Sequence, residues 1–205
     1  LHLGFAIRWI LRQGQFTLRD MKYADFPVVA APSGMALGGG CEVLLHCDEI
    51  VAHAESYIGL VEVGVGIVPG WGGCKEMLLR AKASNQIKKG PMTAVTQTFE
   101  TIAMAKVSTS AFEAKKLLYL RDQDSIVMNR DRLLQSAKQR VLELQTDYRP
   151  PEKMPLKLPG ETGEAALDMA VAALVKRGLA SAHDHLIAGE LAGVLTGKGA
   201  DMNEE

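Results

Sequence analysis

Met35-Ala36-Leu37-Gly38-Gly39-Gly40-Cys41-Glu42 is the stretch that decides how this chain folds. Ahead of it, Pro27-Val28-Val29-Ala30-Ala31 is a short apolar run bounded by prolines and reads as a buried strand, and Pro32-Ser33-Gly34 then turns. Three consecutive glycines disfavour helix, yet residues 41–47 are apolar and free of breakers. The reading is a strand–turn–helix unit with its glycines at the helix N-terminus. The design recurs downstream: residues 50–54 and 57–59 read as two further short strands, and Gly70-Trp71-Gly72-Gly73 opens a helical run over 74–83.

Outward from this centre, residues 5–20 carry Phe5, Ile7, Trp9, Ile10, Phe16 and Leu18 with basic residues between them. This suits an amphipathic helix feeding into the core. Residues 84–96 are polar and contain glycine and proline, a loop. Helices are expected over 98–106, 110–120 and 129–145, the last with Leu133, Leu134, Ala137, Val141, Leu142 and Leu144 at helical spacing and Asn129 as cap. Pro150, Pro151, Pro155 and Pro159 make 149–160 a linker or extended wrap, followed by helices over 162–177 and 181–195 with Ser181 as N-cap. The class is α/β with a helical C-terminal region, divided into 1–125 and 126–205.

The bulk properties exclude several functions. A hydrophobic share of 47% in 205 residues supports a real core, and a net charge of −1 offers nucleic acid no basic footprint. No run of 18 apolar residues is present, so no membrane-spanning helix is expected. Three cysteines without zinc-type spacing suit a reducing cytoplasm. The chain opens Leu1-His2-Leu3-Gly4-Phe5, with neither Met nor a signal-peptide pattern, and 197–205 reads like a cut in mid-chain. A piece of a longer protein is expected.

Two carboxylates carry the candidate chemistry. Glu42 closes the first glycine turn, and Glu62 lies in Ile58-Gly59-Leu60-Val61-Glu62-Val63-Gly64-Val65-Gly66-Ile67-Val68-Pro69-Gly70. Both settings are otherwise apolar, and a lone buried charge is expensive, so each is either structurally paired or held for acid–base work. Backbone N–H groups at a helix N-terminus lack partners and favour negative charge, while glycine admits a close ligand. A thioester carbonyl whose oxygen becomes an enolate fits there, one such donor being worth roughly 3 kcal/mol of barrier. Gly39 or its neighbour would supply that N–H. The competing reading makes the glycines plain tight turns and Glu42 a partner of the helix dipole.

Other features point less far. Gly64-Val65-Gly66 with Gly70 misplaces the third glycine of a dinucleotide fingerprint and meets Pro69, and no Gly-Lys-Ser/Thr follows to make a P-loop. Cys41 and Cys74 flank glycine turns without a histidine partner, which suits buried filler. His183-Asp184-His185 has the wrong spacing for a shared metal-binding face, so no metal is expected and a solvated surface is read. Lys88-Lys89 could meet CoA phosphates or be ordinary loop lysines.

At these residues a family becomes visible. Ala36-Leu37-Gly38-Gly39-Gly40-Cys41-Glu42 with Cys47-Asp48, and Glu62 followed by Gly66-Ile67-Val68-Pro69-Gly70-Trp71-Gly72-Gly73, resemble the two signatures of the crotonase (enoyl-CoA hydratase/isomerase) superfamily. The resemblance covers residues 26–80 strongly and 98–120 weakly. It implies a partial crotonase-like ββα fold and an acyl-CoA substrate. Glu42 and Glu62 would activate water and handle the α-proton of an enoyl-CoA, and Gly39 would give one of two amide donors to the thioester oxygen. Leu37, Gly38 and Gly70 would line the substrate. The presence of both carboxylates implies a hydratase rather than an isomerase.

A narrower resemblance, through Pro32–Leu37, residues 69–77, Met128-Asn129-Arg130-Asp131 and the helices after 145, is to the hydratase-like region of bacterial 3-hydroxyacyl-CoA dehydrogenases of fatty acid β-oxidation. It implies NAD in the dehydrogenase part of the parent and no cofactor in this segment. It also implies packing against that domain or homo-oligomerisation, with neither nucleic acid nor membrane as partner. The family's other amide donor comes from an upstream alanine-containing motif that residues 1–27 do not show. Loop 84–96 is longer than in a simple hydratase, and Trp71 stands where a small residue is usual, narrowing the acyl pocket. The alternatives are a non-catalytic assembly segment of the parent protein or an isomerase.

Overall fold

The computed structural model describes residues 2–90 and 92–198, with side chains from residue 4 onward; most of the 197–205 stretch read as a cut lies outside them. The chain runs α1 (His2–Lys22), β1 (Val29–Ala30), β2 (Met35–Leu37), α2 (Gly39–Leu45), β3 (Glu49–His53), β4 (Tyr57–Gly59), a 3₁₀ turn (Glu62–Val65) and α3 (Gly73–Ala83). It continues through α4 (Thr93–Ala103), α5 (Ala111–Lys116), β5 (Ser125–Val127), a second 3₁₀ turn (Arg130–Arg132), α6 (Leu133–Gln145), α7 (Gly160–Lys176) and α8 (Ala182–Thr196). The α/β class and the helical C-terminal region are both present.

Two small parallel sheets frame the centre. One has the order β1-β3-β5, pairing Val29 with Glu49 and Val51 with Ser125. In the other, Met35, Ala36 and Leu37 of β2 pair with Tyr57, Ile58 and Gly59 of β4. Parallel neighbours need crossover connections, and α2, lying between β2 and β3, supplies part of one. All five residues of β3 are buried. Cys41, Leu45, Ile50, Ile58, Leu60, Met77 and Leu78 form the heart of the core.

Four expectations need correction. Phe5, Ile7, Trp9, Ile10 and Phe16 do not feed the core; they are exposed, and Leu18 alone of that set is buried. The residues of α1 that meet the rest of the fold are instead Leu11, Gly14, Gln15, Leu18 and Lys22, a 3.6-residue spacing in which only Leu18 is buried. Helix α4 begins at Thr93, not 98, because the buried stripe of Ala94, Val95, Thr98, Phe99 and Ile102 extends back a full turn; the preceding loop is correspondingly short. Between α5 and α6 lies β5, only three residues long and not anticipated. It straddles the expected division at 125/126, so the β1-β3-β5 sheet draws on both sides of it. Strand β1 is half-buried rather than buried.

The C-terminal helices join the same core through Leu167, Val171, Ala188, Leu191, Ala192 and Leu195, with Leu156 and Leu158 of the proline-rich wrap packed alongside. Ser181 caps α8 in a reciprocal box with Asp184. The buried polar groups of the sheet are also tied. Asp124 accepts N–H bonds from Ile50 (2.9 Å) and Arg121 (2.6 Å), while Arg80 donates to the carbonyls of Leu45 and Tyr119.

Gly14 is where α1 meets the second glycine turn: a Cβ built there would lie 2.2 Å from Nε1 of Trp71. An alanine in the middle of a helix ordinarily gains about 1 kcal/mol over glycine. Here Gly14→Ala should instead cost about 1–3 kcal/mol from overpacking, read as a lower denaturant midpoint at unchanged slope. A gain in stability would show that α1 does not pack on the indole.

Candidate active site

The first glycine turn grows out of strand pairing. Gly38 N–H donates to Gly59 O (2.9 Å), prolonging the β2–β4 register by one residue. Gly38 then takes φ 56°, a conformation that glycine alone adopts readily, and caps α2. Gly39 opens α2, so its N–H has no intrahelical acceptor. Leu37 ends β2 half-buried, and Gly38 is buried beside Glu62, whose Oε1 would lie 3.5 Å from a Cβ added there.

Glu42, one turn into α2, is buried with only 3% of its surface exposed. Its Oε1 accepts N–H bonds from Trp71 and Gly73, both 2.8 Å. Burial raises the affinity of Glu42 for its proton, those two amides pull it back, and the charge of Glu62 pushes it up again. A side chain at Gly73 would crowd the site, because a Cβ there would stand 3.0 Å from Oε1 of Glu42 and from Leu60.

Glu62 is differently placed. It starts the 3₁₀ turn after β4 and is buried, and its Oε2 has no hydrogen-bond partner among the described residues. Burial lifts its pKa above the usual carboxylate range, only partly offset by the amides of Glu62 and Val61. The structure thus brings Glu42, Glu62, Gly38 and Gly39 together. Gly70 is tied to α1: its carbonyl accepts from Gln15 (2.8 Å), and Leu11 lies over it. The amides that reach Glu42 from the second turn belong to Trp71 and Gly73. Sequence reading missed them, although the glycines opening a second helix were the available signal.

His46 was also unforeseen. It is buried, with Nδ1 2.7 Å from the carbonyl oxygen of Glu42. A carbonyl can only accept, so Nδ1 carries the hydrogen. The ring backs Gly72, and Nε2 stands 3.7 Å from Glu76. Burial lowers the pKa of His46. For Glu76 burial acts upward, but Lys22 at 2.6 Å, with His46 and Lys75, outweighs it and holds the carboxyl below its ordinary range. The Lys22–Glu76 pair anchors α1 to α3 beside the turn.

The remaining candidates fall away from this centre. Gly64 and Gly66 belong to the 3₁₀ turn and its cap, not to a strand–helix junction, so they form no dinucleotide cradle. Cys41, Cys47 and Cys74 are free and buried, and burial pushes Cys47 up to about 11 and Cys74 up to about 12, far from a reactive thiolate. His185 pairs with Asp168 at 2.8 Å, and Lys89 is tied to the carbonyls of Lys82 and Ser84. No group of three or more His, Cys, Asp or Glu side chains suited to a metal occurs among the described residues.

Comparison with known proteins agrees with this geometry. A family profile described as enoyl-CoA hydratase/isomerase matches residues 11–101. A Bacillus subtilis protein named "Probable 3-hydroxyacyl-CoA dehydrogenase" is 46% identical over 206 residues, covering 97% of this chain and 26% of that protein. The crotonyl-CoA hydratase of Syntrophomonas wolfei is 44% identical over 64 residues, 31% of this chain and 25% of that one. The chain therefore spans about a quarter of the length of these curated relatives. In fold it resembles the crystal structure of an enoyl-CoA hydratase from Bacillus anthracis, with TM-score 0.55 at 23% identity, over 93% of this chain and 61% of that one. This is a partial crotonase fold with a helical C-terminal region.

The unpartnered carboxylate predicts a pH signature. Because the pKa of Glu62 is raised on folding, its favourable contribution holds below its ordinary value of 4.5 and is lost as pH rises through the folded value. Glu62→Gln removes that loss. Its melting temperature should match the parent at pH 4 and exceed it increasingly toward pH 8; parallel pH profiles would contradict the burial of an unpaired carboxylate.

Proposed function

The chain belongs to the enoyl-CoA hydratase/isomerase (crotonase) superfamily, and from that premise we propose that it carries the hydratase centre of a longer 3-hydroxyacyl-CoA dehydrogenase of fatty acid β-oxidation, converting trans-2-enoyl-CoA to 3-hydroxyacyl-CoA. The observation that carries the reading is the free, buried Oε2 of Glu62 beside the turn that presents Gly39 N–H. The two carboxylates occupy unlike settings, the arrangement that separates an acid from a base. Glu42, whose Oε1 accepts two amides, takes a proton from water as the water oxygen bonds to the β-carbon. The electron pair of the double bond moves toward the thioester oxygen, where Gly39 N–H stabilises the charge. Glu62, whose burial raises its affinity for a proton, delivers one to the α-carbon, and a proton then passes from Glu42 back to Glu62 through solvent, restoring both carboxyls.

Helix α1 is continuous over His2–Lys22, so its interior amides are taken by its own ladder. The interior of α1 therefore offers no second oxyanion donor, and in this reading that donor comes from another part of the parent protein. So does NAD, which would serve the dehydrogenase step. No described helix is long and apolar enough to cross a membrane, and three free thiols suit a reducing cytoplasm. A second, compatible reading rests on the exposure of Phe5 (74%) and Trp9 (58%): α1 docks on another part of the parent or on a second copy.

In the full-length protein, Glu62→Gln should lower the turnover of crotonyl-CoA hydration by roughly 10²–10⁴-fold, with the circular dichroism spectrum unchanged. Hydration at the parental rate would overturn the assignment.

A further inference from the structure

We propose that His46 is a positioning residue for hydration, its imidazole holding the second glycine turn in register with the carboxylate of Glu42. The inference rests on the hydratase reading above and adds a residue that none of its proton transfers uses. His46 caps the end of α2, and its own N–H bonds to Val43 O (3.2 Å) rather than to the carbonyl of Glu42. The ring takes that carbonyl instead, through Nδ1–H at 2.7 Å. This bond fixes where the ring lies. Its Cε1 and Nε2 then stand 3.0 Å from where a Cβ of Gly72 would be, against a residue with φ 105°.

The neighbours of Gly72 are the two donors of the clasp. Trp71 N–H and Gly73 N–H each reach Oε1 of Glu42 at 2.8 Å. Glu42 is therefore held from both ends: its carboxylate bonds the residues on either side of Gly72, and its carbonyl bonds the ring that backs Gly72. An apolar side chain could fill the space behind the turn, but only a donor can bond the carbonyl. Charge closes the far side of the ring. Nε2 lies 3.7 Å from Oε1 of Glu76, a carboxyl paired with Lys22 of α1 (2.6 Å) and 3.2 Å from Nζ of Lys75. Burial favours the neutral ring, which leaves Nδ1–H as its one donor. A turn released from the ring would loosen both amides, and a carboxylate that loses N–H donors binds its proton more tightly.

The test follows crotonyl-CoA hydration against pH in the full-length protein and in His46→Leu and His46→Asn variants. Leucine fills much of the space without a donor, whereas asparagine offers a non-titrating amide near the position of Nδ1. His46→Leu should lower kcat by about 10–100-fold with KM little changed. It should also move the acid limb of kcat/KM, where the base takes up its proton, to higher pH. His46→Asn should recover most of kcat and the parental limb. If His46→Leu does not fold, His46→Gln replaces it: its amide reaches the position of Nε2 instead of Nδ1, and the same losses are expected. An acid limb unmoved in the donor-less variant, or His46→Asn as impaired as that variant, overturns the proposal and leaves the hydratase reading intact. A parental protein that does not hydrate crotonyl-CoA overturns the reading itself.

Discussion

The carboxylate of Glu42 clasps two glycine turns, and the site is built around that clasp. Its Oε1 gathers the amides of Trp71 and Gly73, so the start of α3 is fixed to the first turn of α2 through a single buried atom. Leaving the buried Gly73 amide unpaired would cost about 1–3 kcal/mol, and the close approach leaves little room for a side chain at 73. Behind the clasp, the imidazole of His46 bonds the carbonyl of the same Glu42 and packs on Gly72, and Lys22 on Glu76 brings α1 over the turn. Strand pairing sets the other side, since Gly38 prolongs the β2–β4 register and places Gly39 with its amide free. Removal of the clasp would leave Trp71, Gly39 and Glu62 without a common frame.

The same contacts explain why two similar carboxylates differ. Glu42 has given one oxygen to structure, and its two N–H donors oppose the upward push of burial on its pKa. Glu62 has a buried oxygen with nothing to bond, an arrangement that costs stability unless a ligand or a proton resolves it. Such a group marks a functional position more strongly than the glycines around it, which turns of many kinds share.

Much of this was legible in the sequence, and for identifiable reasons. The glycine triplets and the breaker-free runs after them located both turn–helix units, because glycine and apolar periodicity act locally. Ser181 announced the start of α8 in the same way, while its reciprocal partner Asp184 emerged only from the structure. What escaped was non-local. Strand β5 is three residues long and exists because β3 offers it an edge. The contacts of α1 run through Gly14, Gln15 and Lys22, whose partners lie on α3 and its preceding turn, so apolar spacing alone chose the wrong face. His46 shows no motif at all; its role follows from burial against Gly72 and Glu76. The proline-rich segment read as a linker, yet it brings Leu156 and Leu158 onto the core that α7 and α8 also enter.

The central claim is that Glu62 is a buried carboxylate kept free for a substrate. Carbon-13 NMR of the full-length protein labelled at glutamate side-chain carboxyls, with Glu62 identified by its absence in a Glu62→Gln spectrum, tests it directly. The account predicts a titration midpoint above the ordinary 4.5 and a resonance that moves when butyryl-CoA, which cannot be hydrated, is added. A Glu62 signal that titrates at the ordinary carboxylate value and ignores the thioester would contradict it.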